Sequence, residues 1–282
     1  MGAGRAAERV RQVRDLVGRQ VGRQVGSLRR SELLDLVLPR ECGGCLRPGE
    51  EWCARCARAL AALAFVDPGD TPGHIGGAPW VVPHRAPGGM PPVYAWGIYA
   101  DPLRAVMSAW KDGGRRDLVR VLEPLLTASV VGALEGLGWV DGGVLVVPAP
   151  SSRRARRQRG DTPMEDLCLA AATSVGRGQE TGSEPGADVG SDMALRVAPA
   201  LRHVRRVEDQ SGLGTAARRG NLTGALSVKP LWHNVVRGRR CLLVDDVVTT
   251  GATLAEAARA LREAGAGPVV GATIAATQRT RG

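Results

Sequence analysis

The chain has 282 residues, of which 44% are hydrophobic and 3% aromatic, with 38 Lys+Arg against 28 Asp+Glu and a formal net charge of +10. Its apolar content is enough to bury a core resting on Val, Leu and Ala, and no run of eighteen apolar residues is present to form a transmembrane helix. Almost all the positive charge is Arg, since Lys occurs only at Lys111 and Lys229; this excess reads either as attraction to an anionic partner (nucleic acid, a phosphorylated metabolite or a membrane surface) or as an Arg- and Ala-rich coding bias.

Residues 1–30 space Val10, Val13, Val17, Val21, Val25 and Leu28 in steps that put one apolar stripe on a helix ringed by Arg. Gly18, Gly22 and Gly26 each weaken such a helix by roughly 1 kcal/mol relative to Ala. The expectation is a basic, disordered extension or an overlong start, with a helix for membrane or nucleic acid as the other reading. A continuous apolar segment with a cleavage site is missing, so no signal peptide is expected and the protein reads as cytoplasmic.

Residues 31–66 hold a short apolar lead, "LLDLVLP", and then Cys42-x2-Cys45-x7-Cys53-x2-Cys56. Each CxxC pair can wrap one edge of a tetrahedron, and four thiolates suit Zn²⁺ in a closed, structural site. Gly43 and Gly44 let the backbone turn tightly beneath the ion. Reduced or redox-active thiols are the alternative. The Pro/Gly-rich stretch 67–92 reads as a linker.

From Val93 the chain turns regular, and 93–282 is expected to be one α/β domain with a mostly parallel sheet flanked by helices. "VYAWGIYA" alternates as a strand. "DPLRAVMSAWKDGG" reads as a helix with Asp101 as N-cap and Pro102 at its first position. Residues 117–137 carry a second helical pattern, and "GVLVVPAPSS" is a buried strand running into a proline loop. "TPMEDLCLAAATSV" is a helix, the polar stretch 176–192 a floppy insertion, and "LRVAPALR" a strand. After the polar segment 204–222 come "CLLVDDVV", a helix from about residue 252, and the closing strand "PVVGATIAAT".

The junction "VDDVVTTGAT" is where chemistry concentrates. Adjacent carboxylates at a buried strand end are costly, yet Asp245 and Asp246 stand there, followed by Val248, Thr249, Thr250, Gly251, Ala252 and Thr253. The Thr/Gly run falls at a helix N-terminus, where unpaired N–H groups and the dipole attract an anion. The carboxylates call for the opposite partner, vicinal hydroxyls or Mg²⁺. A phosphate beside a 2,3-diol is a ribose 5-phosphate. No GxxxxGK[ST] occurs, so a nucleotide held by a P-loop is not expected.

Apolar strand, Asp-Asp and Thr-Thr-Gly-x-Thr resemble the signature of phosphoribosyltransferases that use 5-phosphoribosyl 1-diphosphate. Other stretches narrow the resemblance to the ComF family of competence-related, phosphoribosyltransferase-like proteins. They are the four-cysteine module after "LLDLVLP", "AWKDGGRRDL" around Lys111, "VVPAPSSRRARRQRG", and Gln210, Arg218 and Asn221 before "GAL" at 224–226. The chain departs from that family at Asp112, at Asp161-Thr162-Pro163 and at Leu226.

The resemblance implies a type I phosphoribosyltransferase fold with a small N-terminal zinc module. It implies that Asp245 and Asp246 hold the ribose hydroxyls as positive charge develops at C1, and that Val248 to Thr253 bind the 5-phosphate. Pro150, Ser151, Ser152, Arg153 and Arg154, with Lys111 and Arg218, are the candidates around a Mg²⁺-bound pyrophosphate. Lys111 reads equally as a helix C-terminal cation, and the Arg run as a solvated basic turn. The functions open at this point are transfer of the phosphoribosyl group to a base or amine, sensing of the diphosphate without chemistry, and handling of single-stranded DNA with competence machinery.

Overall fold

The computed structural model describes residues 41–65, 74–75, 78–81, 83, 86–139, 143–151, 160–180, 195–204 and 223–277. The basic extension 1–30, the span 181–192 of the expected insertion, most of 204–222, and the residues Ser152, Arg153, Arg154, Gln210, Arg218 and Asn221 lie outside them.

A seven-stranded sheet organises the chain. Its strands are β1 (His74–Ile75), β2 (Ala78–Val81), β3 (Val93–Ile98), β4 (Val144–Pro148), β5 (Leu195–Val197), β8 (Arg240–Val248) and β9 (Val269–Ala276), in the order β1-β2-β3-β9-β8-β4-β5. From β3 to β5 every pairing is parallel, whereas β1 and β2 add an antiparallel edge. Strands β6 (Leu201–His203) and β7 (Leu226–Val228) form a separate antiparallel pair.

Helices cover both faces, and strand alternation decides which residue meets which layer. Val144 and Val146 of β4 and Leu242 and Val244 of β8 pack with α2 (Leu103–Lys111), α3 (Val119–Gly136) and α4 (Pro163–Glu180) through Leu103, Trp110, Leu122 and Leu167. The intervening Leu145, Val147, Cys241 and Leu243 face α6 (Ala252–Glu263), which presents Leu254, Ala257, Ala258 and Leu261 on one stripe. Full burial of each such Leu or Val contributes roughly 1.5–3 kcal/mol relative to exposure. Cys168 and Cys241 are buried core residues, as their patterns predict.

Strands β4 and β8 lie side by side, but the chain leaves β4 through α4 on one face and β8 through α6 on the other. Adjacent strands whose connections depart to opposite faces leave a crevice at their C-terminal ends. That crevice falls at Asp245 and Asp246.

The four-cysteine segment is docked on this domain. Helix α1 (Ala54–Ala61) starts at Cys53, whose sulfur accepts the Cys56 N–H at 3.4 Å. Beyond α1, residues 63–65 run along the end of β3 that β2 leaves uncovered: Ile98 N–H donates to Leu63 O at 2.8 Å and Phe65 N–H to Trp96 O at 3.0 Å. At Gly97 a Cβ would lie 2.3 Å from Leu63 O, so only glycine admits this approach. Gly44 faces Pro102 and Gly43 faces Leu118, and Arg115 Nη1 donates to Glu41 O at 2.8 Å.

The structure corrects four sequence expectations. Part of the expected linker pairs into the sheet as β1 and β2, a join that its Pro/Gly content conceals. Helix α4 runs to Glu180, past residue 176, because no proline stops it before Pro185. "LRVAPALR" is two strands in different sheets, split at Pro199, which has no N–H for a ladder. Pro102 rather than Asp101 occupies the N-cap of α2, without a side-chain bond, and the Asp101 carboxylate pairs with Arg104 instead.

Candidate functional site

Pairing between β4 and β8 ends at Pro148 and Val244, extended by one bond from Ala149 N–H to Val244 O at 2.7 Å. Beyond it β8 continues to Val248, paired among the described strands with β9. Asp245 and Asp246 stand in this open strip, where the apolar strand has left its neighbour.

Lys111, the last residue of α2, brings its ammonium into an ion pair with Asp246. The two side chains keep 33% and 14% exposure, so the pair is reachable from solvent without being freely hydrated. Burial pushes the Asp245 carboxyl up, and the adjacent Asp246 charge adds to this, to about 8. For Asp246 burial acts in the same direction, but the Lys111 ammonium together with hydrogen bonds from Asp245 and the Val247 N–H outweighs it and holds the carboxyl below its usual range. Asp245 Oδ1 also accepts the Asp246 N–H at 2.9 Å.

This arrangement makes a stability prediction. A carboxyl whose folded pKa is raised keeps its proton while the unfolded chain releases it, so its contribution to stability declines as pH rises from the unfolded value of 3.8 towards about 8. Asp245→Asn keeps an acceptor for the Asp246 N–H and removes that penalty. The variant is expected to melt higher than the parent, by a margin that widens from pH 4 to pH 8 and then levels off. Thermal denaturation across that range checks it, and a pH-independent difference contradicts it.

The turn that follows leads into the N-terminus of α6. Gly251 adopts φ 75°, a left-handed conformation that favours glycine, and it packs against the Met90 side chain. Thr250 Oγ1 accepts the Ala252 N–H at 3.3 Å, and Ala255 N–H closes the first helical bond on Gly251 O at 2.8 Å. On the other side Thr277 N–H donates to Val248 O at 3.0 Å and its hydroxyl to Thr249 O at 3.4 Å. The turn is therefore held while the N–H groups of the first turn of α6, at Thr253 and Leu254, have no preceding helical carbonyls to meet. Thr249 is exposed, with Thr250 and Thr253 half-buried.

Of the residues singled out from sequence, Asp245, Asp246, Val248 to Thr253 and Lys111 are brought to this crevice. Pro150 and Ser151 form the start of the loop leaving β4 beside it. Asp161, a departure from the ComF pattern, accepts from Arg116 Nε at 2.6 Å and ties the far end of that loop to the segment after α2. Sequence reasoning missed Tyr99. Its N–H donates to Ala276 O at 2.9 Å at the C-terminal end of β3, and burial and then the Asp246 charge push its phenol up. Its place just past a parallel strand's C-terminus is a signal that could have found it. His203, whose ring reaches the loop after β4, carries no such signal.

A second site lies in the N-terminal module. The sulfurs of Cys42, Cys45, Cys53 and Cys56 all lie within 4.8 Å of one another. Cys42 Sγ accepts the Cys53 N–H at 3.4 Å, and Cys42, Cys53 and Cys56 are buried. Burial raises the Cys42 thiol, but N–H groups of Cys53, Gly44 and Cys45 reverse this and bring it to about 7. Four convergent sulfurs with backbone donors on them fit a closed thiolate site for a tetrahedral cation such as Zn²⁺.

A family model described as "Phosphoribosyl transferase domain" matches residues 186–281, the part of the chain that carries β8, the Thr/Gly turn and α6. Among curated proteins, "Transcriptional regulator GfcR" of Methanococcoides burtonii is 51% identical over 39 residues, or 14% of this chain. The match spans 19% of that regulator's length. The C-terminal part of the chain thus carries a phosphoribosyl transferase domain, on a mostly parallel sheet flanked by helices, behind a four-cysteine module.

Proposed function

We propose that the crevice binds 5-phosphoribosyl 1-diphosphate with Mg²⁺ and passes its phosphoribosyl group to a nitrogen acceptor, a base or an amine. One observation carries the reading: the acidic pair and the Gly251 turn lie end to end at the switch point, within the stretch that the phosphoribosyl transferase model matches. Asp245 and Asp246 take the 2- and 3-hydroxyls. The first turn of α6, with Thr249, Thr250 and Thr253, takes the 5-phosphate. When the ribose ring gains positive charge at C1, the carboxylates stabilise it across the hydroxyls they hold.

Mg²⁺ suits this site because it binds through substrate phosphates and few carboxylates, and Asp245 is a half-buried oxygen donor whose ionised form a nearby cation would favour. It supplies charge neutralisation on the departing pyrophosphate. Lys111 stands on the same side and keeps Asp246 ionised. The four-cysteine module holds Zn²⁺ as a structural ion. The ComF resemblance extends this reading to a role linked with DNA uptake.

Titration calorimetry with Mg²⁺ and 5-phosphoribosyl 1-diphosphate is expected to give saturable one-site binding, with ribose 5-phosphate weaker and inorganic phosphate weaker still. Absence of any heat with the diphosphate sinks the proposal. A sensor without chemistry is the second reading, favoured by the partial match to a transcriptional regulator. Release of pyrophosphate across a panel of bases and amines separates the two.

A further inference from the structure

The β6–β7 pair lies off the main sheet, yet it touches both walls of the crevice. On one side it is fastened to α6: Glu256 Oε1 accepts the Leu226 N–H at 2.9 Å, and Arg259 Nη2 donates to Leu226 O at 3.0 Å. These two side chains, paired with each other at 2.7 Å, replace a neighbouring strand at Leu226. Glu256 is buried and held below its usual range, with burial opposing and hydrogen bonds from Arg259 and from the Leu226 and Gly224 N–H groups together prevailing. Lys229 Nζ closes the base of the pair on Pro199 O at 2.5 Å.

On the other side His203, directly opposite Leu226, sends its Nε2 to Pro150 O at 3.1 Å. A carbonyl only accepts, so Nε2 carries the hydrogen. Pro150 follows Ala149, whose N–H is the last bond to β8. The chain leaving β4 is therefore gripped twice, by β8 at residue 149 and by His203 at residue 150.

We propose that His203 is a positioning residue for the diphosphate end of the ligand. The inference rests on the binding mode above. With the diol on Asp245 and Asp246 and the 5-phosphate on α6, the C1 substituent leaves the ribose at the end away from α6. It then meets the turn at Pro150 and Ser151, whose path His203 fixes. His203 touches no part of the ligand; it sets the loop that does.

The test compares two ligands on one variant series. His203→Ala, His203→Phe (ring volume without a donor) and His203→Gln (a side-chain N–H donor) are titrated with Mg²⁺–phosphoribosyl diphosphate and with ribose 5-phosphate. The alanine and phenylalanine variants are expected to bind the diphosphate roughly 3- to 10-fold more weakly, the worth of one neutral hydrogen bond, with ribose 5-phosphate within about twofold of the parent. Glutamine is expected to restore part of the loss. Equal weakening of both ligands, or none in either, overturns the role of His203. A parent protein that binds neither ligand overturns the binding mode itself, and with it this inference. Should alanine unfold the hairpin, the phenylalanine–glutamine comparison decides.

Discussion

Asp246→Ala is expected to weaken binding of phosphoribosyl diphosphate roughly 10- to 100-fold, since each hydrogen bond to a charged group is worth about 1.5–3 kcal/mol. The same substitution is expected to leave pyrophosphate affinity intact or to improve it. Pyrophosphate has no diol for Asp246 to hold, and removing the carboxylate that the Lys111 ammonium engages adds no negative charge to repel it. A general loss of folding would weaken both ligands together. The variant should also melt close to the parent, because Lys111 is one-third exposed and can turn its ammonium to water. Loss of the Asp246 charge relieves its neighbour too, so Asp245 titrates lower in the variant. Parallel titrations with the two ligands read the split, and a parallel loss of both refutes recognition of the diol by the acidic pair.

The legible parts of this protein are those where one short stretch contains both the structure and the reason for it. "CLLVDDVVTTGATL" holds an apolar strand, a misplaced pair of charges and a glycine turn within fourteen residues, so its geometry and its chemistry appear together. The cysteine spacing is as local. What stayed hidden depends on partners distant in sequence. Lys111 is legible as a helix-terminal cation, but its contact with Asp246 exists only after α2 packs against the sheet. Glu256 and Arg259 read as an ordinary charged pair one helical turn apart, with no sign that Leu226 uses both. His203 sits in a three-residue strand whose pattern says nothing of Pro150. Pro199 splits "LRVAPALR", a rule available from sequence but outweighed there by the apolar alternation around it.

Metal removal is expected to have the largest effect on stability. Among the described residues, the buried cluster of Cys42, Cys53 and Cys56 has Trp52 as its partly buried apolar neighbour. Four sulfurs crowded within 4.8 Å would be held together by a bound Zn²⁺, which would make binding and folding of this segment one process. The segment in turn covers Leu118 and Pro102 through Gly43 and Gly44, which flank the helix that delivers Lys111. Purified protein is expected to carry about one zinc per chain, the stoichiometry of a four-cysteine site. Cys56→Ser or strong chelation is expected to cost about 3–5 kcal/mol, or a melting temperature lower by about 10 °C in a domain of this size. Phosphoribosyl diphosphate affinity should fall with it, since α2 then loses its seat. Metal analysis and scanning fluorimetry on parent, chelated and Cys56→Ser protein test this together. If reductant alone moves the melting point while chelator does not, the cluster is a set of redox-active thiols and not a metal site.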